Sequence, residues 1–341
     1  MDWQTLKTAG RPILLYGMGD GGDRIFSQLA SRDIPVSGVF ASDEFVRGQT
    51  FHGFPVLTYA QAKAQFGNMI VLLAFGTRDA EILARIDAIA GEQTLYCPDF
   101  PVVDGPLFTP DFYAENRARF DAVRSALCDA QSRAVFDGTI EYKLTGDIRP
   151  LRACETSPDE AYASILRLAP GETLVDLGAY RGDTIADFVR FCPDYDHIYA
   201  FEPDGYTFRR LVKNTEHLQN CTCLNLAASD SDAPLLFSQR GGRNSRAGGG
   251  KPVAADSVDH VLAGKIATFL NIDVEGLERS AIAGAAKTIA AWKPKLLVAA
   301  YHRSEDFFAI YEQITAIRPD YRVYLRHFPQ LPAWETNLYF V

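Results

Sequence analysis

Two separate runs of apolar segments, alternating between strand and helix spacing, divide the chain. The first opens with the apolar run Ile13 to Tyr16, followed directly by GMGDGG. Ile25, Phe26 and Leu29 then recur at helical spacing, and VSGVF at 36–40 reads as a strand. Met69 to Phe75 is apolar at successive positions, the mark of a parallel strand covered on both faces, and Ile82, Ile86 and Ile89 place a helix after it. This pattern predicts a small βαβ domain over 10–100.

PDFPVVDGPLFTP at 98–110 is rich in proline and reads as a connector. A helical span follows to 145, with Phe120, Val123 and Leu127 on one stripe. The second series starts at ETLVDLGAYRGDT (172–184), continues through a helix marked by Ile185, Phe188 and Val189, and reaches the strand HIYAFEPD. Phe208, Leu211 and Val212 mark the next helix; CTCLNLAASD, ATFLNIDVEG and KLLVAAYH are three further strands. Phe307, Ile310, Tyr311, Ile314 and Ile317 form the last helical stripe. DYRVYLRHF and ETNLYFV then read as two strands with no helix between them, which must pair antiparallel. The fold class is therefore α/β with two Rossmann-like domains. The expected units are 1–105, a small Rossmann-like nucleotide-binding-type domain, a helical linker at 106–157, and a catalytic domain at 158–341.

Composition narrows the functions. Hydrophobic residues make up 47% and charged residues 23% of the 341, so a packed core is expected throughout. Lys and Arg number 34 against 43 Asp and Glu, a net charge of −9 that disfavours nucleic acid as partner. No stretch approaches the ~20 apolar residues of a membrane span, and MDWQTLKTAGRP lacks a signal core, so a cytoplasmic protein with no membrane partner is expected. Cys97, Cys128, Cys154, Cys192, Cys221 and Cys223 are scattered and without nearby histidines, which argues for buried thiols and against any metal site. A homo-oligomer stays open.

Chemistry gathers at strand ends. In VDLGAYRGDT, Asp176 closes a buried strand, and Gly178 and Gly182 lie in the turn to a helix, where glycine lets backbone approach a cofactor closely. Glu202 ends the next strand, where a carboxylate accepts both hydroxyls of a ribose. Asp230 follows the third strand within reach of an adenine edge, and Asp273 and Glu275 follow the fourth. All these acids fall at carboxyl ends of a parallel sheet, where open α/β folds bind ligands. Helix capping competes for Asp273.

The strings VDLGAYRGDT, FEPD, IDVEGLE, VAAYH and YLRHF…ETNLYF together resemble the FkbM-type methyltransferase family, and SRAVFDGTIEYKLTGDIRPL is similar to the segment preceding its domain in longer members. The resemblance covers 125–341 and implies a class I methyltransferase sheet with an antiparallel final strand. It also implies S-adenosyl-L-methionine as cofactor and O-methylation of a saccharide or similar hydroxylated metabolite. Carried over, Asp176, Gly178, Ala179, Tyr180, Gly182 and Asp183 would line the methionine and ribose part of the cofactor. Glu202 would hold the ribose, with Pro203 and Asp204 beside the adenosine and Asp230 at the base. Where the family has Leu-Asp after its middle loop, this chain has ADSVD, with Asp256 and Asp259.

His302, at the end of the fifth strand, has a side chain suited to abstracting a hydroxyl proton, with Asp273 and Glu275 as rival bases. Arg326 and His327 are candidates for substrate contact. QRGGRNSRAGGGK (239–251) reads as a lid whose Arg240, Arg243, Arg246 and Lys251 favour an anionic acceptor. Gly17, Gly19 and Gly22 fit G-x-G-x-x-G, and Asp43 could meet a ribose, so a nucleotide-sugar-binding protein using the N-terminal domain is the alternative. Since the named cofactor residues lie beyond 170, the C-terminal half is expected to bind the cofactor without the first domain.

Overall fold

The structure, a computed structural model, describes residues 3–103, 105–238, 246–247 and 251–341. Its first sheet has six strands in the spatial order Thr50–Phe51, Phe54–Thr58, Gly38–Ala41, Ile13–Tyr16, Ile70–Leu73, Thr94–Tyr96. All pair parallel except the short hairpin of the first two. Ile13–Tyr16 and Ile70–Leu73 are buried at every residue, as their uninterrupted apolar pattern requires. Thr94–Tyr96 escapes the sequence pattern because it has only three residues, and Phe54–Thr58 because Pro55, tolerated near a sheet edge, interrupts it.

The second sheet has seven strands in the order Val323–His327, Thr336–Phe340, Lys295–Ala299, Phe269–Ile272, Thr173–Leu177, His197–Phe201, Cys221–Leu224. Only Thr336–Phe340 runs against the rest, inserted between the fifth and sixth strands. CTCLNLAASD is two strands, not one. The Asn225 amide turns inward to donate to the Glu202 and Pro203 carbonyl oxygens (2.8 and 3.1 Å), and Ala227–Ala228 then pairs with Ala255–Asp256. Val212 faces solvent, 43% exposed, while Leu211 carries the buried side of its helix.

The span 106–157 packs more tightly than a linker. Phe120, Val123 and Leu127 are buried as their spacing predicts, and the helix Ala130–Thr145 lies on the edge strand Val323–His327. There Arg326, 3% exposed, forms ion pairs with Asp129 and Glu160, both at 2.8 Å. His327 is buried with Nδ1 2.9 Å from the Thr336 hydroxyl. Of the two residues expected at the substrate, Arg326 therefore ties the helical segment to the sheet, and the His327 side chain joins the two final strands.

One continuous core joins the halves, with Leu14, Tyr16 and Leu73 in the same apolar cluster as Phe136, Leu331 and Leu338. Thr77 and Leu331 exchange backbone hydrogen bonds (2.7 and 3.0 Å), and the Val102 N–H donates to the His302 carbonyl at 3.0 Å. Lys143 and Asp99 form a buried ion pair at 2.8 Å. Gly76 sits so close to Trp334 that a Cβ would come 2.3 Å from the indole. These contacts clamp the carboxyl ends of the two sheets against one another.

Candidate active site between the two sheets

The strand Thr173–Leu177 ends at Gly178, whose φ of +87° suits glycine; an added Cβ would lie 1.8 Å from the Asp273 carbonyl oxygen. The Gly178 and Ala179 N–H groups both donate to the Phe201 carbonyl (3.0 and 2.9 Å), and Asp273 N–H donates to Leu177 (3.0 Å). Three strand ends are thereby knitted into one rigid rim. Tyr180 holds φ +48°, uncommon for a residue with a side chain, and its N–H donates to Glu202 Oε2 at 3.0 Å. Asp204 N–H donates to Oε1 at 2.8 Å, so each Glu202 oxygen retains acceptor capacity. Burial pushes the Glu202 pKa up to about 7, with those two N–H groups opposing.

A cavity of about 480 Å³ opens on this rim. Gly178, Ala179, Tyr180, Asp183, Glu202, Pro203, Asp204, Asp273 and Glu275 line it, so most residues named from sequence converge. Asp176 lies behind the wall, fully buried. Asn271, which lines the cavity, donates to its Oδ1 at 2.8 Å, while Oδ2 has no hydrogen-bond partner. Burial raises the Asp176 pKa to about 7. Gly182 acts beneath the surface, supplying φ +92° at the start of Asp183–Phe191. Asp230 is exposed, bonded to Ser280 at 3.1 Å, and does not reach the cavity; Ala227 and Ala228 occupy that stretch of wall. Asp259 accepts from the Lys287 and Thr288 N–H groups and Asp256 lies 2.9 Å from His260, both structural placements.

His302 also departs from expectation. It is 0% exposed and does not line the cavity. Its Nδ1 lies 3.0 Å from Glu278, and its Nε2 3.5 Å from Glu275 and 3.6 Å from Asp273. Burial disfavours its charge, yet Glu278, Glu275 and Asp273 raise its pKa well above the usual range, so the ring is an imidazolium. A ring whose charged form is favoured is a poor base. Asp273 stands in front of it, open to the cavity, with the Tyr301 phenol donating at 3.2 Å. Burial, helped by Glu275 and Glu335 and opposed by His302, raises the Asp273 pKa to about 7. Asp273, Glu278 and His302 also bring ligand atoms within 4.8 Å of one another, a spacing a cation could bridge; the imidazolium already supplies positive charge there.

The opposite wall comes mostly from residues that no local pattern singles out. Arg24, Phe75, Gly76 and Arg78 of the first domain, Phe100 of the connector, and Gln330, Trp334 and Asn337 of the last strand pair line the same cavity. Arg78 approaches Asp183 at 3.9 Å. Tyr301 lies beside His302 in VAAYH, and Asn337 lies within ETNLYF. Of the lid at 239–251, Arg240 and Arg243 lie outside the described residues.

An open parallel sheet with one antiparallel strand inserted before its sixth, and a glycine turn facing an acid on each neighbouring strand, defines a class I methyltransferase fold. Residues 176–329 match the methyltransferase FkbM domain. A methyltransferase FkbM from Methylobacillus flagellatus KT aligns over 97% of this chain and 90% of its own at 21% identity, TM-score 0.74, so its fold extends through the first domain as well. An rRNA methylase from Streptococcus thermophilus covers 54% of this chain and 96% of its own (12% identity, TM-score 0.37). Aeropyrum pernix fibrillarin, solved with natively bound S-adenosyl-L-methionine, covers 54% and 74% (15% identity, TM-score 0.35). Likeness at that level carries no argument. No curated protein matches the sequence. No helix among the described residues is long and apolar enough to cross a membrane.

Proposed function

We propose that the protein is an S-adenosyl-L-methionine-dependent O-methyltransferase of a saccharide or similar hydroxylated metabolite, with 1–105, 106–157 and 158–341 as its working units. One observation carries this reading: the glycine rim, the Glu202 carboxylate and the Asp273–Tyr301 pair share one cavity. The residues fit the cofactor. Glu202 offers two buried oxygens with remaining acceptor capacity, the pattern a ribose diol requires, and backbone without side chains approaches beside it at Gly178. Asp204, Ala227 and Ala228 would border the adenosine, and Ala179 and Asn271 the methionine part.

The bound cofactor supplies an electrophilic methyl group on a sulfonium. The protein's part is to hold a hydroxyl in line and receive its proton. Asp273 would receive the proton that the acceptor hydroxyl gives up on accepting the methyl group. A carboxylate titrating at about 7 suits that step near neutral pH. Tyr301 orients Asp273, and the His302 imidazolium behind it keeps the carboxylate from rising further. The free state of all six cysteines supports a reducing compartment such as the cytoplasm.

The N-terminal nucleotide-sugar reading has less support, because Asp43 is exposed in a short turn and does not line the cavity. Calorimetry with S-adenosyl-L-methionine is the test. Binding of one equivalent is expected. Binding of nucleotide sugars in its place would overturn the reading.

A further inference from the structure

Beyond the cofactor rim, the cavity wall carries two buried side-chain atoms without a hydrogen-bond partner among the described residues, the Gln330 Oε1 acceptor and the Trp334 Nε1 donor. Gln330 is 2% exposed, lines the cavity, and has an Oε1 without a donor. Among the described residues the Glu335 carboxylate has no ion pair or hydrogen bond, yet it lies close enough to Asp273 and Tyr301 to raise both their pKa values. Glu275 also lines the wall. Both glutamates sit at positive φ, +53° and +62°, a backbone arrangement that side chains adopt at a cost and that fixes where these carboxylates stand. Trp334 and Phe328 supply aromatic faces beside them. Among the described residues the cavity's two arginines both belong to the first domain: Arg78 faces Asp183 at 3.9 Å, and Arg24 donates to the Pro101 carbonyl at 3.1 Å.

A wall of carboxylates and an orphaned carbonyl oxygen, flanked by aromatic rings, selects a ligand rich in donors and positive charge. Glu275 already faces the His302 ring at 3.5 Å, so the charge left without a partner is that of Glu335, which would repel an anionic group and stay uncompensated beside a neutral polyol. An ammonium supplies three donors and a charge, and the aromatic faces add to its attraction.

We propose that the acceptor is an amine-bearing polyhydroxyl compound, an amino sugar or amino alcohol, whose ammonium is held by Glu335 and Gln330 while a neighbouring hydroxyl faces Asp273. This rests on the methyltransferase reading and names its substrate class. Held by carboxylates, the amine stays protonated and cannot attack, so the hydroxyl is the atom methylated. It also replaces the anionic acceptor suggested by the arginines of 239–251.

The test starts from a small-molecule extract of the cells that express the protein, incubated with it and with S-adenosyl-L-methionine tritiated on the methyl group. Charcoal then removes adenosine compounds, and the labelled product is passed over cation and anion exchangers at pH 5. Retention on the cation exchanger is expected. Label in the flow-through or on the anion exchanger overturns the proposal. With the product's acceptor in hand, Glu335→Gln should raise its KM by about 10–100-fold, the loss of one charge-assisted contact, with cofactor affinity unchanged. An unchanged KM overturns the assignment of Glu335. Absence of cofactor binding in calorimetry would instead sink the methyltransferase reading itself, so the two failures are distinguishable.

Discussion

The two Rossmann-like domains turn the same corner with the same backbone and different side chains. Gly17 follows the first strand of one sheet at φ +111° and donates to the Phe40 carbonyl at 2.9 Å; Gly178 follows the first strand of the other at φ +87° and donates to Phe201 at 3.0 Å. Ala74 N–H donates to Tyr16 as Asp273 N–H donates to Leu177. In this register the counterpart of Glu202 is Ala41 and that of Asp273 is Ala74, both alanines buried. The space beside them in the first domain is filled by Tyr16, stacked on Phe40 at 4.7 Å and edge-on to Phe75 at 5.0 Å. A glycine turn at the end of a parallel strand is thus a backbone solution shared by both. The acids on the neighbouring strands are what make one of them a site for chemistry.

If that contrast is correct, converting Asp273 to its counterpart should have the largest effect. Asp273→Ala is expected to lower turnover about 10²–10⁴-fold, the range of a lost general base, while leaving cofactor affinity intact. In the wild type, kcat/KM should fall as pH drops through about 7, because Asp273 takes up its proton there. A rate profile flat down to pH 5.5 would remove Asp273 from the base role. Cofactor affinity must be measured over the same range, since Glu202 also titrates at about 7.

His302 comes next, and its effect should appear in stability. His302→Ala leaves Glu278 buried and uncompensated, a loss of roughly 3–5 kcal/mol by urea unfolding at pH 7. The sign follows from its raised pKa. The contribution is complete below the unfolded value of about 6.5, and it is lost only as pH rises through the higher folded value. Wild-type stability in this variant would mean that the ring is neutral.

The smallest effect separates the two turns. A Cβ at Gly17 would press on the Phe75 side chain (2.6 Å), which can move, whereas at Gly178 it would meet the Asp273 backbone oxygen (1.8 Å), which cannot. Gly17→Ala should cost about 1–3 kcal/mol of stability and leave cofactor affinity within about threefold. Gly178→Ala should abolish cofactor binding detectable by calorimetry. Equal losses of affinity would mean that both turns serve the cofactor.

Much of the second sheet was readable because several of its strands are apolar runs followed closely by an acid or a histidine. Ile13–Tyr16 and Ile70–Leu73 were legible for the same reason. His302 was placed at the right strand end, but the spacing of Glu275 and Glu278 around it says nothing of burial, and burial decides whether it is a base or a fixed charge. Asp230 failed because Asn225 breaks its strand through a side-chain bond that no periodicity reveals. The far wall was illegible for a stronger reason. Gly76 and Trp334 touch across more of the chain than any local pattern spans, and their contact exists only once both sheets have formed. That wall also joins the halves, through Gly76 against Trp334 and the backbone hydrogen bonds of Thr77 with Leu331.

The central claim, that a single cofactor site is made by the second turn and its acids, is tested most directly by titrating S-adenosyl-L-methionine into wild type, Glu202→Ala and Asp43→Ala in a calorimeter. One equivalent should bind to wild type and to Asp43→Ala with the same affinity. Glu202→Ala, still folded, should bind at least about 10-fold more weakly, because the ribose hydroxyls lose their acceptor. Wild-type affinity in Glu202→Ala, or weakened binding in Asp43→Ala, would contradict the account.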